Sequence, residues 1–190
     1  HDHQLPQLKS IYDRGQQNGV DCSIIDINRL KELEPHCAGT AAIHVPEAGI
    51  VDYPGVCQQL GRLLRDAGTE IHLNCRVNAI QQQTDFVRLL TSTNDIEASQ
   101  VINCGGLHSD RIARQSGQQM KERIVPFRGE YFELKPEAHH LCRTLIYPVP
   151  DPNFPFLGVH FTRMIHGGVE CGPNAVFALA REGYNWRTFN

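Results

Sequence analysis

The chain has 190 residues, 41% of them hydrophobic and 21% charged, with a net charge of −3. That length can bury one good core or parts of two smaller ones. The basic residues are scattered rather than gathered into a stripe, which argues against a nucleic-acid binder. No apolar run approaches the ~20 residues needed to span a bilayer, and no signal-like segment opens the chain.

In chain order, "LPQLKSIYDRGQQNG" places Leu5, Leu8, Ile11 and Tyr12 on one helical face and closes on Asn18-Gly19, a helix stop. "DINRLKELEP" reads as a shorter helix that Asp26 caps and Pro35 ends. "TAAIHVP" is strand-like. "DYPGVCQQLGRLLRDAG" is the strongest helix, with Asp52 as cap, Pro54 in the first turn and Gly68 at the exit. Its spacing predicts a buried stripe of Val56, Leu60, Leu63, Leu64 and Ala67. "TEIHLNCRVNAI" reads as a strand broken near Asn74, and "FVRLLTS" and "DIEASQVINC" read as short strands. The run Val101–Cys104 then meets Gly105-Gly106 and the helix-like "SDRIAR".

After about residue 120 the pattern changes. "RIVPFRGEYFELKP", "TLIYPVP", "FLGVHFTRM" and "GGVECGPNAV" are strand-sized pieces separated by Pro, Gly and Asp, which predicts a mostly antiparallel sheet. The expected fold class is therefore α/β plus α+β. The expected division is a helical segment and first strand over 1–47 that links two domains, an α/β domain over 48–118 and a β-rich domain over 119–190.

Seven cysteines lie at 22, 37, 57, 75, 104, 142 and 171, with no C-x-x-C, so the zinc and thioredoxin readings lose their main support. Cys57, Cys75 and Cys104 sit in apolar patterns and read as small buried hydrophobes. Free thiols in this number point to a reducing, cytoplasmic compartment. No histidine spacing recommends a metal site.

Two groups of residues carry candidate chemistry. An apolar run that ends in Gly-Gly and feeds a helix lets backbone approach a ligand closely, often a nucleotide phosphate. A plain tight turn has the same sequence, and the G-x-G-x-x-G fingerprint is absent from all 190 residues. In the β-rich part, Arg128, Arg163 and Arg181 are forks suited to carboxylates, or else ordinary ion-pair residues. His160 lies between Val159 and Phe161, as a core histidine or as a base able to accept an alcohol proton. His160 and Arg163 are an odd number of residues apart, so a regular strand would turn them to opposite faces.

Taken together, "GIVDYPGV", "INCGGLHSDRIA", "IVPFRGEYFEL", "LIYPVPDPNFPFLGVHFTRM" and "GPNAVFALAREGY" resemble the L-2-hydroxyglutarate oxidase/dehydrogenase family, from about residue 5 to residue 187. These are FAD enzymes of the D-amino-acid-oxidase-like superfamily. The resemblance implies part of a FAD-binding Rossmann-like domain followed by part of a substrate-binding sheet. It also implies an internal fragment, with the glycine-rich FAD loop upstream and further flavin contacts downstream. The implied reaction is oxidation of L-2-hydroxyglutarate to 2-oxoglutarate, with the fragment by itself inactive.

By the same resemblance, Val77, Cys104, Gly105, Gly106 and Leu107 border the FAD. His160 is the expected base, with Arg128 and Arg163 beside it in the catalytic set, and Tyr147, Arg181 and Tyr184 as substrate contacts. The expected partner is a small dicarboxylate, with no nucleic acid and no metal. The parent is expected in the cytoplasm, with a peripheral membrane or quinone link at the inner face of the cell membrane. Strands that lose neighbours expose edges, so the fragment is expected to self-associate. Alternative readings are a superfamily enzyme acting on glycerol 3-phosphate or an amino acid, and a non-catalytic domain.

Overall fold

The computed structural model describes residues 2–154, 156–185 and 187–189. In chain order the elements are α1 (Leu5–Gln17), β1 (Ser23–Asp26), α2 (Ile27–Leu33), β2 (Ala41–His44) and α3 (Tyr53–Asp66). There follow β3 (Val77–Gln82), β4 (Val87–Thr91), β5 (Ile96–Ala98) and α4 (Ser109–Gln115). The last elements are β6 (Phe127–Arg128), β7 (Phe132–Glu133), β8 (His160–Arg163), β9 (Val169–Gly172) and β10 (Val176–Phe177). The fold is mixed α/β, with small antiparallel sheets.

The chain divides into two compact units, and neither is continuous in sequence. One comprises residues 1–52 and 129–176, the other 53–128 and 177–190. This corrects the division expected from sequence. The first 47 residues are no connector; they belong with the β-rich stretch. The reason is visible at Glu34, whose carboxylate accepts from Arg143 N (3.0 Å), Thr144 N (2.6 Å) and Thr144 Oγ1 (2.7 Å). Residues 177–190 return likewise to the unit built around residues 53–128.

In the first unit, α1 and α2 form as their sequences direct. Asp26 accepts from Arg29 N at 2.9 Å, an N-cap that satisfies one of the orphan donors of α2. Strands β1 and β2 pair antiparallel, and β7–β9–β8 make the larger sheet. Leu8, Cys22, Leu30, Cys142 and Val169 are its buried apolar residues. At Gly172 a β-carbon would stand 2.8 Å from the Glu130 carbonyl oxygen, so only glycine lets the end of β9 approach that backbone.

The second unit contains the β3–β4–β5 meander, with Val87 buried at its centre. Here two expectations fail. The apolar stripe of α3 is uncovered: Val56, Leu60, Leu63 and Leu64 are 40–54% exposed. The segments 71–75 and 101–104, which read as strands, join no ladder among the described residues, and Ile102 is 86% exposed. Both failures have one cause: an amphipathic face or an apolar strand is buried only where another element of the structure covers it. The same absence leaves Cys57 and Cys104 exposed and Cys75 partly so, whereas the buried thiols are Cys22 and Cys142.

Candidate functional site

In the second unit, the turn after Val101–Cys104 is built by its own side chains. Asn103 Oδ1 accepts from Gly105 N at 3.0 Å, and Asn103 Nδ2 donates to the Ser109 carbonyl at 2.8 Å. Gly106 has φ +52°, left-handed backbone that favours glycine, and no atom lies within 4 Å of where its Cβ would stand. Beside the turn is a cleft of about 220 Å³, lined by Val77, Ile80, Leu89, Cys104, Gly105 and Ile112 among others. Three of the five residues expected at the cofactor, Val77, Cys104 and Gly105, thus line one cleft. Gly106 and Leu107 continue the same turn.

Below that turn lies a buried ion pair. Both guanidinium nitrogens Nη1 and Nη2 of Arg181 donate to the Asp110 carboxylate, the second at 2.6 Å, and Nη1 also donates to the Leu107 carbonyl at 2.5 Å. The two side chains are only 8% and 5% exposed. Asp110 further accepts from Arg111 N at 2.8 Å and Ile124 N at 3.3 Å. Hydrogen bonding from Arg181 holds the Asp110 carboxyl far below the usual carboxylate range and raises the arginine in turn. Arg181 was expected to meet a substrate carboxylate; the structure commits its fork to Asp110 and Leu107 instead.

A carboxylate with a depressed folded-state pKa contributes stability that is full above its unfolded value, near 3.9, and is lost as pH falls through the folded value. The Asp110–Arg181 pair should therefore hold from neutrality to about pH 4 and weaken only below it. Urea titrations at pH 6, 4 and 2.5 check this: Asp110→Asn should flatten the acid-side fall in stability. An identical fall in both proteins would show that other carboxylates cause it.

Neighbouring groups extend this network. His108 Nε2 lies 3.0 Å from Glu182 Oε1, and Glu182 sits below its ordinary pKa because of hydrogen bonds with His108 and Tyr184. Tyr184, expected at the substrate, is 75% exposed and its phenol is pushed up by Glu182. Arg128 donates to the Gly183 carbonyl at 2.9 Å. The residues of "REGY" are thus held from several sides by side chains of their own unit.

In the first unit, β8 is regular from His160 to Arg163, so its alternation turns the two residues to opposite faces. Arg163 Nη1 donates to the Cys142 carbonyl at 2.8 Å, beyond the 3-10 turn of Pro136–Leu141. His160 is buried, 7% exposed. Its ring stacks on Tyr147 at 4.4 Å between centroids and 23° between planes. The Ile146–Phe161 bridge sets this contact, because its antiparallel continuation brings Tyr147 opposite His160. His160 Nδ1 lies 3.0 Å from the Gly158 carbonyl. A carbonyl only accepts, so Nδ1 is the donor in this contact, which leaves Nε2 as the ring nitrogen able to act as an acceptor. The structure brings His160 and Tyr147 together, and does not bring Arg163 to them.

Sequence reasoning missed Asp110 and Glu34. Each was a carboxylate in an apparently solvated helical run, Asp110 between Ser109 and Arg111 and Glu34 between Leu33 and Pro35, with no local sign of the partners that bury it. Among the described residues no three of His, Cys, Asp and Glu gather as metal ligands, and no helix is long and apolar enough to cross a membrane.

FAD can be tested against this geometry. A cleft of about 220 Å³ lies below the roughly 300–1,000 Å³ of complete ligand pockets. An apolar wall ending in an open, glycine-permitted turn fits one side of a dinucleotide, and no second glycine-rich loop is present in the sequence. The residues fit one wall of such a site.

Comparison with known proteins agrees. The chain is 48% identical over 183 residues to an L-2-hydroxyglutarate dehydrogenase of Indibacter alkaliphilus, covering 95% of this chain and 46% of that protein. It is 45% identical over 204 residues to a mitochondrial L-2-hydroxyglutarate dehydrogenase of Nematostella vectensis, covering 100% and 45%. The chain thus spans less than half the length of these curated relatives. Among solved structures, L-proline dehydrogenase from P. horikoshii superposes with a TM-score of 0.79 at 17% identity, over 93% of this chain and 47% of that one. That likeness is one of fold. Residues 1–189 match the family described as FAD dependent oxidoreductase, and the chain belongs to that family.

Proposed function

We propose that this chain is part of a flavoprotein that oxidises L-2-hydroxyglutarate to 2-oxoglutarate. The observation that carries the reading is the 45–48% identity, spread over 95–100% of the chain, to proteins bearing that activity in their names. FAD, when bound, supplies the two-electron acceptor for the hydride that leaves C2. The unit of residues 53–128 and 177–190 contributes a wall of the FAD site through Val77 and Cys104–Leu107. The other unit contributes substrate chemistry. His160 accepts the C2 hydroxyl proton at Nε2, the ring nitrogen not engaged by the Gly158 carbonyl. Tyr147, stacked on the imidazole, fixes the ring plane and supports the substrate. Arg128, which belongs to the unit of residues 53–128, and Arg163 are the carboxylate candidates, each already donating through Nη1, to the Gly183 and Cys142 carbonyls respectively. Free thiols at all seven cysteines support a reducing, cytoplasmic-type setting.

The test compares substrates on the full-length flavoprotein with an artificial electron acceptor. L-2-hydroxyglutarate should reduce the flavin and be turned over, and glycerol 3-phosphate and amino acids should not. Reduction by an amine or a phosphate ester in its place would move the protein to another branch of the family. A full-length protein that holds no flavin would leave only a non-catalytic role.

A further inference from the structure

The turn at Cys104–Leu107 contains two glycines, one at positive φ, and glycine loses more conformational freedom on ordering than any other residue. Its local fasteners, the Asn103 bonds, are exposed. The buried fastener comes from the far end of the chain: Arg181 reaches the Leu107 carbonyl directly and grips Asp110 in the first turn of α4. The same carboxylate takes Ile124 N, tying the outgoing chain to the same point. Arg128 on Gly183 and His108 on Glu182 brace the segment that carries Arg181. Neither Asp110 nor Arg181 lines the cleft. A buried, forked charge pair spanning 71 residues of sequence, with one prong on a turn carbonyl, is costly to desolvate and strongly directional. It suits the fixing of one turn geometry better than general cohesion.

We propose that the Asp110–Arg181 pair is a positioning device that fixes the Cys104–Leu107 turn against the cleft, and that the affinity of this unit for FAD depends on it. The inference rests on the flavoprotein reading in its second half only. Lysine at 181 keeps the charge but loses the fork, so it cannot serve Asp110 and the Leu107 carbonyl together.

The experiment compares Arg181→Lys with wild type in the full-length flavoprotein, measuring FAD dissociation and amide exchange at His108 and Ser109. Those two amides close onto the Gly105 and Gly106 carbonyls. Arg88→Lys, which alters an exposed pair with Glu97 on the meander of the same unit, is the control. Arg181→Met is a second, harsher variant; where it does not fold, Arg181→Lys still decides. The expected result is faster exchange at the two amides and FAD affinity lower by roughly tenfold or more, with global unfolding temperature near that of the control. Unchanged affinity in a folded Arg181→Lys protein overturns the proposal, as does a loss of affinity matched by Arg88→Lys. Where wild type binds no FAD, the flavoprotein reading fails separately. Amide exchange then decides the positioning role, with unchanged rates in Arg181→Lys sinking it.

Discussion

Replacing His160 with asparagine in the full-length flavoprotein should lower kcat by about 10²- to 10⁴-fold, the usual contribution of a positioned proton acceptor. Asparagine is the informative choice. Its amide can still donate to the Gly158 carbonyl, as Nδ1 does at 3.0 Å, while the acceptor at Nε2 is removed. FAD content and unfolding temperature should therefore stay close to wild type. A variant that keeps its kcat would place the proton acceptor elsewhere. A fall in kcat accompanied by loss of folded protein would instead make His160 a core residue, in keeping with its burial. Tyr147→Leu separates these outcomes further, because it removes the stacking partner and leaves the imidazole in place.

The second large effect is on stability. Glu34 is 3% exposed and its carboxylate receives Arg143 N, Thr144 N and Thr144 Oγ1. Hydrogen bonds to charged groups contribute about 1.5–3 kcal/mol each, and water at the exposed 143–144 turn recovers part of a loss. Glu34→Ala should cost about 3 kcal/mol, lowering the unfolding temperature by roughly 6–12 °C for a chain of this size. Glu34→Gln keeps one acceptor and should cost about half as much. Urea denaturation checks both values. A change in Glu34→Ala below about 0.5 kcal/mol, the level of an ordinary surface substitution, would show that the anchor is dispensable.

Local signals in the sequence were read well where the deciding physics is local. The Asp26 cap, the Asn18-Gly19 stop and the exit from α3 before Gly68 all depend on residues within one turn of the helix end, and all are in the structure. The antiparallel character of the β-rich stretch was legible from its Pro, Gly and Asp punctuation. Periodicity misled where burial needs a partner: the Leu60–Leu64 stripe and the run Val101–Cys104 carry correct amphipathic or apolar patterns without cover among the described residues.

The candidate site divides the same way. Odd spacing foretold that His160 and Arg163 would part company on a regular strand, and they do. The commitment of Arg181 to Asp110 was not legible, since 71 residues separate them and nothing in either local pattern names the other. Of the residues the resemblance pointed to, Val77, Cys104 and Gly105 line one cleft; residue chemistry alone had left the Gly-Gly pair open between a ligand turn and an ordinary one.

The interleaved path of the chain has a consequence for how the protein is made. Residues 1–52 leave the ribosome before most of the structure that completes their unit, including the 143–144 anchor for Glu34, which lies beyond residue 128. At about 5–20 residues per second, synthesis of the intervening segment takes several seconds. Throughout that interval β1, β2 and the two N-terminal helices have no β7–β9–β8 sheet to join, and Glu34 has no amides to receive. The segment 53–128 meanwhile waits for Arg181 to reach Asp110. Each unit thus stays incomplete until a later stretch emerges, residues 129–176 for the first and residues 177–190, with the Arg181 clasp on the Leu107 turn, for the second.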